Sequence, residues 1–189
     1  LTKEKLIEFF NGERLVKAPS MFDREKLKYI NSRYIKQLDL QTLAEKVKPY
    51  LEEANIDIVS DAWLLQLVQV FQESMHYLAE IVTLYHNFLS QPFELDDEMK
   101  TFLNENQSVL LLETFNKNLE NINFDPESIQ QCIKDTGQSL NIKGKPLFMG
   151  IRIATTAEMH GPSLPHVLAL LTEHKVKQRL ETIIKFLRG

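Results

Sequence analysis

Apolar residues recur every three or four positions along almost the whole chain, the spacing of helices that turn one face to a core. The longest stripe, Leu64, Leu67, Val68, Phe71, Met75, Leu78, Val82 and Tyr85, predicts a long helical region opened by Ser60 or Asp61, in an apolar stretch that runs from Trp63 to Leu89. Gln66, Gln69, Gln72, Glu73, His76 and Glu80 interrupt that stretch, so it reads as a core-facing element and not as a membrane span. Leu43, Val47 and Leu51 share a helix capped by Asp39, which Pro49 must bend or end because proline has no N–H to give. Thr2 caps a short helix through Phe10, closed by Asn11-Gly12, and Asp23 precedes a helix with Leu27, Ile30 and Tyr34 on one side.

Farther along, Val109, Leu112 and Phe115 mark another helix. Asp125-Pro126-Glu127 is a start signal, with the cap followed by proline at the first helical position, for a helix that carries Ile129, Cys132 and Ile133 and stops at Gly137. Asn141 to Lys145 reads as a loop, and a last helix capped by Thr172 uses Val176, Leu180, Ile183, Ile184 and Leu187. No alternating strand or hairpin appears. The prediction is an all-α protein of two tandem helical bundles after a short helical segment. Gln91-Pro92-Phe93 and the acidic run Glu94 to Glu98 mark the boundary, giving units 1–38, 39–93 and 94–189.

Composition adds a class but no chemistry. Hydrophobic residues at 43% and charged residues at 25% of 189 suit a packed, soluble, cytoplasmic protein, expected to be a monomer away from any membrane. The single cysteine, Cys132, rules out an internal disulfide and is expected to be buried or half-buried. His76, His86, His160, His166 and His174 form no zinc pattern, His76 and Glu80 suggest an i,i+4 contact, and Ser163 lacks a nucleophile elbow, so no catalytic or metal residues are expected.

Charge changes the picture more. The net −4 divides into nine Lys/Arg against five Asp/Glu in residues 1–38, five against eighteen in 39–139, and eight against three in 140–189. Phosphate attraction reaches only about a Debye length, roughly 8 Å, so local sign decides binding. Two basic ends around an acidic middle suit a bent polyanion touched at two places; ordinary surface variation is the other reading.

The densest information lies between Gly144 and Leu171. From Asn141 to Ala157 the charged residues are Lys143, Lys145 and Arg152, with no acid among them. Leu147, Phe148, Ile151, Ile153 and Ala154 give that segment a buried side, from which Arg152 would project to a planar hydrogen-bonding ligand or simply to water. A Gly161-Pro162-Ser163-Leu164-Pro165 turn follows, then a leucine-rich helix.

Gly144, Lys145, Leu147, Phe148, Arg152, Ala154 and Thr156, with Gly161, Pro162, Leu164 and Pro165, resemble the anticodon-binding region of bacterial glutamyl-tRNA synthetases, which reads G-K-x-L-F-x-x-x-R-x-A-L-T-G and then G-P-x-L-P. Val16 to Asp23, Lys26-Leu27, Tyr29-Ile30-Asn31 and Tyr34-Ile35 are similar to a second segment of the family, one that meets the inner bend of the tRNA. The two matches stand in the family's order.

The resemblance implies tRNA-Glu as partner, residues 1–38 as a tRNA-stem-contact segment, and 39–93 and 94–189 as two anticodon-binding subdomains. It places unstacked anticodon bases against Arg152, Lys145, Gly161, Pro162 and Leu164. Arg152 would hydrogen-bond a base edge or pair with a phosphate, Pro162 and Leu164 would support a base face, and Gly161 would allow close approach. Lys17, Lys28, Arg33, Lys36 and Lys143 are the implied tRNA-backbone contacts. Replacing Arg152 with alanine is expected to spare the fold.

One departure from the family concerns specificity. Where many relatives place an arginine early in a helix like E-R-V-K-T-L, Glu73 to Leu78 puts Ser74, in a segment without glycine or proline to anchor the register. A serine cannot offer a guanidinium's fork, which implies relaxed discrimination and tRNA-Gln as a second partner. The family's H-I-G-H-like and K-M-S-K-S-like strings are absent, as is any phosphate loop. The chain, starting at Leu1, therefore reads as an inactive C-terminal piece of a longer ligase, with ATP and Mg belonging to the parent and no cofactor here. A helical protein-interaction module without nucleic-acid binding is the alternative.

Overall fold

A computed structural model describes residues 3–14, 21–90, 93–106 and 108–189. The expected cap at Thr2, the phosphate contact Lys17 and the Gln91-Pro92 punctuation lie outside the described residues. Among those described, the chain is all-α, with helices α1 (Lys3–Phe9), α2 (Arg24–Ile35), α3 (Leu40–Glu53), α4 (Asp61–Phe71), α5 (Glu80–Tyr85), α6 (Asp97–Glu105), α7 (Ser108–Asn118), α8 (Pro126–Leu140), α9 (Lys145–Thr156), α10 (Leu164–Leu171) and α11 (Glu173–Arg188).

The starts follow the capping residues. Asp39 accepts from the Thr42 N–H at 2.8 Å, Ser60 from Trp63 at 3.1 Å, Asp96 from Met99 at 2.8 Å and Asp125 from Ser128 at 2.8 Å. Each satisfies a donor that the first turn leaves without an intrahelical acceptor. Thr172 stands at the start of α11 without a side-chain capping bond, with φ 74°, so its expected role as a cap does not hold. Two ends also shift. α8 runs past Gly137 to Leu140 and stops at Asn141, which adopts the left-handed conformation at φ 54°. α3 continues four residues beyond Pro49 to Glu53, because Leu43, Val47 and Leu51 are all fully buried and their packing outweighs the one missing hydrogen bond.

The long stripe from Leu64 onward is not one helix. α4 ends at Phe71, Gln72–Ser74 form a 3-10 turn, Met75 turns to extended backbone, α5 is short, and His86–Ser90 make a π-helical turn. Side chains explain the break. The Gln72 amide donates to the Ile35 and Leu38 carbonyls at 3.0 and 2.8 Å, tying this point to the end of α2. Glu80 accepts from the His76 backbone N–H at 2.6 Å, closing an irregular turn; this is the expected His76–Glu80 contact, made off a helix. Met75 enters the core at the break, along with Ile81, Phe88 and Leu89.

A single hydrophobic cluster runs from Ile35 to Ile183 across the expected boundary. α10 is its centre: Leu164, Pro165, Val167, Leu168, Leu170 and Leu171 are buried, and the helix packs on both α4 and α8. Each buried leucine contributes roughly 1.5–3 kcal/mol, an upper estimate for a real unfolded chain. The N-terminal segment contributes little. α1 buries nothing, and Leu27, Ile30 and Tyr34, expected on a buried side of α2, are exposed while Ser32 and Ile35 are covered.

Candidate nucleic-acid interface

Arg152 sits on α9, on a helix whose other face is fixed by buried Leu147, Ile151, Ile153 and Ala154. It does not project to solvent as expected. The side chain folds back so that Nη2 donates to the Pro162 carbonyl at 2.7 Å, while Nη1 is buried without a partner. Burial lowers its pKa from the ordinary value, and nearby Glu158 acts in the opposite sense. Glu158 is itself raised, first by burial and then by Asp96, with Arg152 pulling it down. The guanidinium is therefore part of the turn that it was expected to stand beside.

The turn is built around Gly161. At φ 151° it occupies backbone that residues with a side chain rarely adopt, and an added Cβ would lie 2.5 Å from a ring carbon of Phe88 and 3.2 Å from Arg152 Nη1. Pro162 is half-exposed, whereas Leu164 is only 3% exposed and belongs to the core. Leu164 thus offers no face to a base, and its expected support of one is corrected: it anchors the turn from below. Ser163 and His166 pair at 2.9 Å at the start of α10.

The other expected residues fall into two groups. Lys143 and Lys145 are exposed at the N-terminal end of α9, and Lys145 lies 5.8 Å from the centroid of the Phe102 ring. Lys145 also lines an open cleft of about 490 Å³ with Asp97, Glu98 and Glu105, whose field weakens its pull on phosphate. At the other end Lys28 pairs with Glu25 at 3.0 Å, Lys36 pairs with Glu73 at 2.8 Å, and Arg33 is exposed on α2. Exposed pairs of this kind are weak and screened by salt, so a phosphate can displace them. Ser74 is half-buried in the 3-10 turn and not in the regular helix that was expected to carry it.

Three residues were not found by sequence reasoning. Phe148, expected on the buried side, is 38% exposed one turn before Arg152, where an aromatic face suits stacking. Glu158 compensates part of the arginine's charge. Arg179, on α11, is half-buried and donates to three carbonyls; only its place among otherwise apolar helical positions hinted at this. Among the described residues, no group of His, Cys, Asp and Glu could hold a metal ion, and no helix is long and apolar enough to cross a membrane.

A profile of the family described as anticodon binding domain matches residues 42–184. The chain is 43% identical over its whole length to a glutamate–tRNA ligase of Acholeplasma laidlawii, and 38% identical over 96% of its length to one of Bacillus subtilis. It covers 42% and 39% of those relatives, so it spans about two fifths of their length. In structure it is similar to a glutamate tRNA ligase from Elizabethkingia meningosepticum crystallised in complex with its amino acid, with a TM-score of 0.85 at 20% identity, covering 99% of this chain and 37% of that one.

Proposed function

This chain belongs to the anticodon binding domain family, and we propose that it reads the anticodon of a tRNA for a longer glutamate–tRNA ligase. The observation that carries the reading is the Arg152–Pro162–Gly161 constellation. A guanidinium is held desolvated beside an exposed turn, with one donor, Nη1, left without an acceptor. Buried donors are rarely left unpaired, and a base edge can pair with this one once the turn above it opens. The nearby Glu158 offsets the arginine's charge, which favours a neutral base edge over a phosphate. Gly161 lets the turn close onto the Phe88 ring and Arg152, and Phe148 and Pro162 present apolar surface for a base face.

Lys143 and Arg33, with Lys28 and Lys36 once released from their acidic partners, are assigned to the tRNA backbone, as is Lys17; Lys145 is assigned to the anticodon end. Residues 39–93 and 94–189 act as two subdomains sharing one core, and residues 1–38 meet the inner bend. The partner is tRNA-Glu. Ser74 is assigned to the place of the arginine in the family's pattern, and on that assignment tRNA-Gln is a second partner. The longer ligase works in the cytoplasm and joins glutamate to tRNA with ATP and Mg. No phosphate loop occurs in this chain, and among the described residues no group of His, Cys, Asp and Glu could hold a metal ion, so its residues do not fit either group.

The test is a titration with unmodified glutamate tRNA and with the same tRNA carrying an altered anticodon, at two salt concentrations. Salt-sensitive binding that weakens with the altered anticodon is expected, and Arg152→Ala should remove the difference between the two tRNAs at a cost of roughly 1–3 kcal/mol. Equal affinity of the unaltered chain for both tRNAs would sink the reading, and no binding at any salt would favour a protein-interaction module.

A further inference from the structure

We propose that Arg179 is a positioning residue for the Gly161–Leu164 turn, a role that rests on the anticodon reading above. Its guanidinium lies where two helical ends turn their free carbonyls toward each other. Nη1 donates to the Thr155 carbonyl at 2.6 Å and the Phe88 carbonyl at 3.2 Å, Nη2 donates to the Leu89 carbonyl at 3.4 Å, and the charge lies 5.0 Å from the centroid of the Phe93 ring. Among the described residues, no carboxylate pairs with it. A cation taken out of water is expensive unless hydrogen bonds replace its hydration, and carbonyls at helix C-termini carry the partial negative charge that does so. The donors face inward, which is the wrong direction for a phosphate at the surface.

What the cation joins gives the inference its content. Thr155 is in the last turn of α9, one turn after Arg152 and just before the left-handed Ala157, from which the chain runs to Gly161. Phe88 is gripped twice: its carbonyl by Arg179, and its ring by the turn, since nothing larger than glycine fits above it at 161. The ring is itself seated against Phe71, with centroids 5.6 Å apart. The turn is thus referenced to α9 through Arg152 and to the first half of the molecule through Phe88. Arg179 holds both references in register.

The experiment compares the unaltered chain with Arg179→Ala and Arg179→Lys in two measurements. In amide hydrogen exchange, both variants should exchange faster in segments 86–90 and 157–163, with protection in α3 and α8 retained. In the two-tRNA titration, affinity for the glutamate anticodon should fall about tenfold, shrinking the ratio between the tRNAs while the salt slope stays the same. Arg179→Lys should not recover it, because a point charge lacks the planar fork that reaches three carbonyls. Unchanged exchange in the two segments overturns the proposal, as does full recovery with lysine. So does an equal loss for both tRNAs with a salt slope lower by about one, which marks a direct phosphate contact.

If Arg179→Ala fails to fold, Arg179→Gln keeps part of the side-chain stem and cannot bond all three carbonyls. It should speed exchange in the same two segments, and no change there overturns the proposal. Failure of the unaltered chain to distinguish the two tRNAs counts against the anticodon reading alone, because the exchange measurement judges Arg179 without RNA.

Discussion

Arg152 is where the energetic expectation changes most. As a solvent-facing helical residue it would tolerate alanine, but its 2.7 Å bond to the Pro162 carbonyl makes it structural as well. Arg152→Ala is expected to destabilise the protein by about 1 kcal/mol, the net worth of one such bond, seen as a lower denaturant midpoint with an unchanged slope. Cys132 behaves oppositely: burial pushes its thiol up to about 11, with the Thr136 hydroxyl pulling the other way. Since the thiolate is the reactive form, a thiol reagent at pH 8 should modify the native protein far more slowly than the denatured one. Equal rates would place Cys132 at the surface.

Among the elements, the helix starts carry a pH dependence. Backbone hydrogen bonds from Thr42 and Ser128 hold the Asp39 and Asp125 carboxyls below the ordinary aspartate value of 3.8. Groups lowered in the folded state stabilise it fully above their unfolded value, and that stability is lost as pH falls through the lowered one. The denaturant midpoint should therefore carry no contribution from these caps between pH 7 and about 5 that varies, and should lose it below about pH 4. Asp125→Ala should show a shallower acid limb than the unaltered chain; an identical limb would remove the cap from the account. The broken element between Phe71 and Glu80 carries a different lesson. Its apolar spacing is helical, yet the Gln72 amide finds carbonyls thirty-odd residues away in sequence, and Met75 is drawn into the core as the chain leaves the helix.

For the molecule as a whole, packing and charge are distributed differently. The core begins at Ile35, and α1 has no buried residue. A truncation that removes α1 should leave the denaturant midpoint unchanged, because none of its residues is buried; a clear drop would show that the helix packs on the rest. The basic ends that the charge count separated from the acidic middle are coupled to it locally, through Lys36 to Glu73 and through Lys145 beside Asp97, Glu98 and Glu105. Much of the salt sensitivity expected of RNA binding therefore includes the release of acidic side chains as well as counterions.

By itself, the sequence determined the class and most of the elements: apolar spacing, the caps Asp39, Ser60 and Asp125, and the Pro126 start are local signals, each legible within one helical turn. It also pointed to the kind of site proposed, since Gly161-Pro162 and Arg152 resemble the family's pattern. Tertiary structure alone decided the rest. Whether Leu27 or Leu164 is covered depends on what packs against it, and the one is exposed while the other is buried. Whether an arginine reaches solvent or folds back depends on the nearest unpaired carbonyl, which for Arg152 lies ten residues on and for Arg179 up to ninety-one residues away. A buried cation takes whatever acceptors the fold brings to it, and spacing along the chain carries no record of which those will be.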